Sequence, residues 1–285
     1  LEVYFGPKGR PDQLQSKQNQ YFWPELFLPP LEVELGEGVS LTLGGRIDRV
    51  DLGANQEGLY LSVVDYKSGR EKLDLGRVLG GEQMQLLVYL WVAMQYFEAL
   101  CCRGEQKIQP AGAFYFSVQR PVLDVDNPNL HPEDLAKELL KQFKLSGWLV
   151  DNGADFFRFM DKNLGPGLAS EVVPAALKKD GSISGRQKAS VYTPGEFKWL
   201  LSGLNDLLAR VGKHIVQGRV DIAPLKSGQN TACRFCPYGP VCRFDPWLPE
   251  NCHRTSNHDA KELRQRLEHE ARRKEGNPLV LYDLD

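Results

Sequence analysis

The sequence lacks several features that would place it in a specialised class of protein. No apolar run approaches the roughly 20 residues that a membrane-spanning helix needs, and the chain does not open with the basic and then apolar pattern of a secretory signal. Its 35 basic and 37 acidic residues leave a formal net charge of −2. The overall charge therefore does not indicate a nucleic-acid partner, although a basic cleft can coexist with an acidic exterior. These absences favour a cytoplasmic globular protein.

Cysteine is scarce except in one short region. Six cysteines are present, and four of them fall within about 20 residues near the end of the chain: Cys233, Cys236, Cys242 and Cys252. An extracellular disulfide framework is spread over a small domain, so this crowding favours metal or cluster ligation in a reducing compartment. Cys101 and Cys102 end an apolar helical pattern and are expected to be core residues.

The apolar pattern predicts an α/β fold. Alternating apolar and polar residues predict strands over 31–36, 40–51 and 58–69, joined by glycine-containing turns as in an antiparallel meander. A long apolar helix is predicted over 82–100 and a buried strand over 111–118. The order is therefore three strands, a helix and another strand, which indicates a mixed sheet flanked by helices.

The second half of the chain is predicted to be mainly helical. The predicted elements are a helix over 131–143, a hairpin or exposed loop over 175–187, a helix over 193–218 and a charged, solvated helix over 258–275. Thr193 and Glu196 have the spacing of a capping box, and Pro194 stands at the first helical position.

The segment VVDYKSG, residues 63–69, places an acid and a base at the end of an apolar run. Asp65 and Lys67 share one face of the strand because alternate side chains point the same way. Pairing with the preceding strand would bring Asp48 to that face. Two close carboxylates repel unless one is protonated or a cation bridges them, and Mg²⁺ binds through one or two carboxylates together with carbonyls, waters and phosphate. With a lysine that can assist an attacking water, this set fits metal-assisted phosphodiester hydrolysis.

An isolated Asp-x-Lys is more often an exposed ion pair, worth less than about 1 kcal/mol. Three features favour an active site instead. The segment GGRID supplies a second acid, a turn follows Lys67 directly, and the next helix carries Gln85 and Tyr89 on one face, four residues apart.

The segments GRIDRVD, VVDYKSG and QMQLLVYL resemble the consecutive motifs of the RecB-type branch of the PD-(D/E)XK nucleases. The resemblance implies a restriction-endonuclease-like core and an active site that holds Mg²⁺ or Mn²⁺. It implies these roles: Asp48 and Asp65 as metal ligands, the Tyr66 carbonyl as a third ligand, Lys67 as the catalytic lysine, and Gln85 and Tyr89 as organisers of the site and its DNA. Many members carry an upstream histidine as a further ligand. The first histidine here is His131, so that helix is expected before Leu1, which leaves the site incomplete.

Three cysteines have the spacing Cys233-x2-Cys236-x5-Cys242. A zinc site usually pairs two short knuckles and only one is present, while an iron–sulfur cluster also needs four ligands. The surrounding segment resembles the C-terminal iron–sulfur segment of AddB-type subunits of bacterial helicase–nucleases. This resemblance implies a 4Fe–4S cluster whose fourth cysteine lies upstream of this chain. Cys252, beside His253, is the less favoured substitute.

The resemblance divides the chain into an irregular N-terminal segment (1–30), a RecB-like nuclease domain (31–225), an iron–sulfur segment (226–252) and a charged helix and tail (253–285). It implies a Mg-dependent exonuclease acting on single-stranded DNA, which an AddA-type helicase partner delivers during double-strand break repair by recombination. Two alternatives stay open. One is another RecB-like or CRISPR-associated iron–sulfur exonuclease, and the other is a non-catalytic DNA-binding or scaffold fragment.

Overall fold

A computed structural model describes most of the chain, in the following residues: 3–7, 26–55, 58–101, 108–119, 131–153, 156–157, 160–184, 190–227, 230–245, 247–248, 254–255, 262–265 and 269. The chain divides into two compact units. The first comprises Leu1–Glu32, Thr42–Leu73 and Gln85–Leu201, and the second comprises Val33–Leu41, Asp74–Met84 and Ser202–Asp285. Within the described part, no helix combines the length and apolar character needed to cross a bilayer.

The described strands and helices are numbered in chain order. The strands are β1 (Val3–Phe5), β2 (Leu26–Leu28), β3 (Leu31–Gly36), β4 (Val39–Leu43), β5 (Gly45–Ile47), β6 (Arg49–Asn55), β7 (Gly58–Lys67), β8 (Ile108–Ser117), β9 (Ser146–Val150), β10 (Ala176–Leu177), β11 (Ile183–Ser184), β12 (Val191–Tyr192), β13 (Leu225–Ser227), β14 (Asn230–Thr231) and β15 (Arg254–Thr255). The helices are α1 (Leu75–Leu79), α2 (Gln85–Cys101), α3 (Pro132–Gln142), α4 (Pro194–Val216) and α5 (Gly239–Cys242), with a 3₁₀ turn over Ala232–Phe235.

A five-stranded sheet with the order β12-β9-β8-β7-β6 forms the centre of the first unit. β7 pairs antiparallel with β6 and parallel with β8, while β9 pairs antiparallel with β8 and parallel with β12. The sheet is therefore mixed, and the expected α/β fold with a flanked mixed sheet is confirmed.

Strand β7, an interior strand of this sheet, is covered on both faces, which explains its nearly continuous burial. Helix α2 packs against β7 and β8 on one face. The side chains of Tyr60 and Val64 point to the opposite face of the sheet. There they belong to a core that includes Phe114, Phe156 and Phe157. Packing on both faces fixes the position of the end of β7, where Asp65 and Lys67 lie.

The prediction of one strand over 40–51 is wrong. The structure breaks this stretch at Gly44 and Asp48 into β4, β5 and β6. The cause is a change of partner, since β5 pairs antiparallel with β1 whereas β6 pairs with β7. At Gly44 a Cβ atom would lie 3.0 Å from the carbonyl oxygen of Phe5, so the first break occurs where another backbone passes close by.

The N-terminal segment predicted as irregular contains two short strands. β1 pairs parallel with β2 and antiparallel with β5, in a three-stranded sheet within the first unit. Each strand has only three residues, which is too short for an alternating pattern to be distinct in the sequence.

Other predicted elements agree with the structure. The helices predicted over 82–100, 131–143 and 193–218 correspond to α2, α3 and α4, and the hairpin is formed by β10 and β11, which pair antiparallel. The α4 cap is reciprocal, because the Glu196 amide donates to the Thr193 hydroxyl while the Thr193 amide donates to the Glu196 carboxylate.

The charged helix predicted over 258–275 lies largely outside the described residues. Residues 262–265 and 269 are helical. Leu263 and Arg264 are both buried, so the expectation of a solvated helix is wrong at these two positions. A run dominated by charge does not reveal which few of its residues pack inward.

Candidate active site

Strand register sets the position of Asp48. β6 pairs Arg49 with Val64 and Val50 with Val63, so one further step along the ladder aligns Asp48 with Asp65. The carboxylate Oδ2 of Asp48 accepts a hydrogen bond of 2.9 Å from the backbone amide of Tyr66. The break between β5 and β6 thus leaves Asp48 outside the ladder, and its side chain is fixed against the end of β7.

Asp65 is the buried acid of the site. Its residue surface is 4 % exposed, and its Oδ2 lies 2.6 Å from Nζ of Lys67. Apart from this ion pair, Oδ2 accepts no hydrogen bond among the described residues. The ion pair uses one lone pair of this buried oxygen, and a carboxylate has further lone pairs that can coordinate a cation.

A chain of polar contacts runs from Lys67 into helix α2. Nζ of Lys67 donates to Oε1 of Gln85 at 3.3 Å, and Nε2 of Gln85 donates to the phenol oxygen of Tyr89 at 2.8 Å. Gln85 begins α2, and a spacing of four residues places Gln85 and Tyr89 one above the other on the face toward the sheet. The structure therefore brings Asp65, Lys67, Gln85 and Tyr89 into one connected set.

Two contacts of the site were not predicted from the sequence. The Tyr115 ring lies 5.4 Å from Nζ of Lys67, within the range of a cation–π interaction, because β8 pairs Tyr115 with Asp65. The amide of Tyr66 holds Asp48, while the Tyr66 residue is 42 % exposed and its ring packs edge-on against Phe116. Neither contact has a local signal in the sequence, since each depends on how distant strands pair.

The donor set of the site fits a hard divalent cation. Asp48 and Asp65 supply carboxylate oxygens, and one of these, Oδ2 of Asp65, is buried beside the Lys67 ammonium. Across the described ranges, no three His, Cys, Asp or Glu side chains are grouped so that they could hold a metal. A pair of carboxylates suits Mg²⁺, because this ion keeps several waters and binds substrate phosphate.

The cysteine segment lies in the second unit. Cys233 belongs to the 3₁₀ turn, Cys236 follows this turn, and Cys242 ends α5. All three thiols are free, and Cys233 and Cys236 are exposed. In the described part of the chain they do not form a group that could hold a metal. Cys102, Cys252 and His253 lie outside the described residues.

Comparison with known proteins identifies the family. The sequence matches the PD-(D/E)XK nuclease superfamily over residues 9–243. It is 40% identical over 228 residues to the B subunit of the ATP-dependent helicase/deoxyribonuclease of Bacillus thuringiensis (strain Al Hakam), which is 80% of this chain and 19% of the relative. The same subunit of Bacillus mycoides (strain KBAB4) and of Bacillus anthracis gives the same identity and coverage. The chain therefore spans about a fifth of the length of these relatives.

The family match, the mixed sheet and the acid–lysine pair at the end of β7 lead to the same assignment. The chain belongs to the PD-(D/E)XK nuclease superfamily.

Proposed function

We propose that the chain is a Mg-dependent deoxyribonuclease domain that hydrolyses the phosphodiesters of single-stranded DNA within a helicase–nuclease. The observation that carries this proposal is the buried Asp65 carboxylate, paired at 2.6 Å with Lys67 and next to the Asp48 carboxylate that the Tyr66 amide holds. Two acids and a base therefore meet at the end of β7, and these are the residue types that metal-assisted phosphodiester hydrolysis needs.

Each side chain has a role in this reaction. Asp48 and Asp65, with the Tyr66 carbonyl, would hold Mg²⁺ or Mn²⁺, which polarises the phosphate and offsets its developing charge. The Lys67 ammonium lies beside the Asp65 carboxylate, where it can orient the attacking water and stabilise negative charge on the phosphoryl oxygens. Gln85 limits the movement of Lys67 by accepting its hydrogen bond. Attack by water forms one P–O bond while the bond to the leaving sugar oxygen breaks.

The experiment is a cleavage assay with the purified chain and end-labelled single-stranded and duplex DNA. We expect single-stranded DNA to be cut in Mg²⁺ or Mn²⁺, and cutting to stop with chelator and resume when metal is restored. Cleavage that persists in chelator would contradict the metal dependence. Binding of DNA without cleavage in either metal would favour the scaffold alternative.

Replacing Lys67 with methionine should lower kcat by about 10²–10³-fold, since the substitution removes a positive group that stabilises the negative charge developing on the phosphate. Methionine keeps the length of the side chain and removes only its charge and donors. The matched control is Lys162→Met, an exposed lysine of the same unit. Single-turnover rates would be measured at saturating DNA. A Lys67→Met rate within threefold of the control would exclude a catalytic role for this lysine.

A helicase partner of the AddA type is part of the proposal. The support is the 40% identity to proteins named as the B subunit of an ATP-dependent helicase/deoxyribonuclease. This similarity also favours the helicase–nuclease assignment over a CRISPR-associated exonuclease. In such an assembly the helicase would supply the single strand, and the nuclease domain would cut it during double-strand break repair.

The three cysteines Cys233, Cys236 and Cys242 would supply three thiolates of a 4Fe–4S cluster, which a fourth ligand completes. The support is their spacing, and the family match extends to residue 243, just beyond the last of them. We expect the protein purified without oxygen to absorb visible light and to contain iron, and Cys242→Ser to lower both. A protein that binds zinc in place of iron would contradict the cluster.

A further inference from the structure

Phe5 lies next to the active site although it is far from the catalytic motifs in sequence. β1 pairs antiparallel with β5, so that Val3 aligns with Ile47 and Tyr4 with Arg46. The Phe5 side chain is buried, and its ring meets the Tyr89 ring edge-on, with centroids 5.8 Å apart and planes at 81°. An edge-to-face pair of this kind restrains both rings.

Gly45 makes this contact possible. A Cβ atom at position 45 would lie 2.9 Å from Cε1 of Phe5 and 3.3 Å from Cε1 of Tyr89. Both rings therefore pack over the bare backbone of β5, three residues before Asp48. The ring pair fills this space so closely that a single added methyl group must displace it.

Tyr89 connects this ring pair to the catalytic lysine. Its phenol oxygen accepts from Gln85, whose carbonyl oxygen accepts from Nζ of Lys67. The position of the Tyr89 ring thus sets where the Gln85 amide is held. The amide oxygen in turn accepts a hydrogen bond from the Lys67 ammonium, which is also paired with Asp65.

We infer that Phe5 is a positioning residue for the nuclease reaction, which acts on Lys67 through Tyr89 and Gln85. The inference rests on the proposed function. It assigns an active-site role to β1, the first described strand of the chain. The competing explanation is that Phe5 is an ordinary core residue whose loss only weakens the fold of the first unit.

Three variants perturb the contact in different ways. Phe5→Ala removes the ring, Gly45→Ala displaces it without removing any atom, and Phe5→Met keeps bulk and a sulfur–aromatic contact. We expect Phe5→Ala and Gly45→Ala to lower kcat about 10–100-fold, the range for residues that orient active-site ligands, with KM for DNA unchanged within about twofold. Phe5→Met should retain most of the activity.

A double variant separates positioning from stability. If Phe5 acts through Gln85, then Phe5→Ala combined with Gln85→Ala should be no slower than Gln85→Ala alone, whereas independent effects on kcat multiply. The matched control is Phe156→Leu in the core on the opposite face of the sheet, which should lower the melting temperature and leave kcat unchanged. Multiplicative effects, or a loss of kcat in the control equal to that of Phe5→Ala, would overturn the inference.

A second readout does not need activity. The side-chain amide of Gln85 gives a resonance in ¹H–¹⁵N spectra that the Gln85→Ala variant identifies by its loss. We expect this resonance to move toward the position of solvent-exposed amides in Phe5→Ala and Gly45→Ala, and to stay in place in Phe5→Met and Phe156→Leu. An unchanged resonance in Phe5→Ala would overturn the inference. If the wild-type chain cuts no DNA, the proposed function fails. The spectrum then still shows whether Phe5 positions the Gln85 side chain.

Discussion

Asp65→Asn should reduce DNA cleavage about a thousandfold, because the substitution removes one of the two carboxylates expected to hold the cation. A catalytic metal ion stabilises the transition state by several kcal/mol, and each 1.36 kcal/mol corresponds to tenfold in rate. Asparagine keeps the shape of the side chain and removes its charge. The rate would be measured under single-turnover conditions in Mg²⁺, with Asp51→Asn, an exposed acid on β6, as the matched control.

The same substitution should leave the free energy of unfolding within about 1 kcal/mol of the wild-type value, measured by denaturant titration without metal. Asp65 is buried, so loss of the charge removes a desolvation cost. It also removes the partner of Lys67, but that side chain is 31% exposed and can be solvated. An inactive variant that is strongly destabilised would show that Asp65 supports the fold instead of the chemistry.

Gly147→Ala should have the largest effect on stability among the substitutions discussed. Gly147 pairs with Phe114 in the central sheet and has a φ of 144°, where side chains are strained. A Cβ atom there would lie 2.2 Å from the carbonyl oxygen of Ala113 and 2.9 Å from Cα of Phe114. Both neighbours are backbone atoms of β8, so β8 and β9 would have to separate.

We expect Gly147→Ala to lower the free energy of unfolding by about 3 kcal/mol or more, as the sum of backbone strain and overpacking. The melting temperature should fall by roughly 6–12 °C, given about 2–4 °C per kcal/mol for a domain of comparable size. Gly153→Ala is the matched control, since it has a φ of 100° and no atom within 4 Å of an added Cβ. Gly153→Ala should lower the free energy of unfolding only by the backbone strain, about 1 kcal/mol. Equal effects in the two variants would show that the close approach of β8 and β9 is unimportant.

The sequence predicted the parts of the fold that depend on near neighbours. Alternation places Asp65 and Lys67 on one face of a strand, and a spacing of four places Gln85 and Tyr89 on one face of a helix. The cap of α4 needs only Thr193 and its neighbours. Each of these relations is set by the local geometry of the backbone, so they could be predicted before any distant contact was known.

Other features depend on which strands meet. The break at Asp48 arises because β5 and β6 have different partners, and alternation within the segment gives no sign of this. Tyr115 reaches Lys67 only through the parallel register of β7 and β8. A strand as short as β1 has no clear period of its own.

By itself, the sequence determined the residue types of the site and their family. The tertiary structure decided how they are supported. It buries the Asp65 carboxylate beside Lys67, fixes Asp48 on the Tyr66 amide, and places Phe5 against Tyr89. The physical reason is that burial and register are properties of the packed sheet, in which residues far apart along the chain exclude water and constrain each other's side chains.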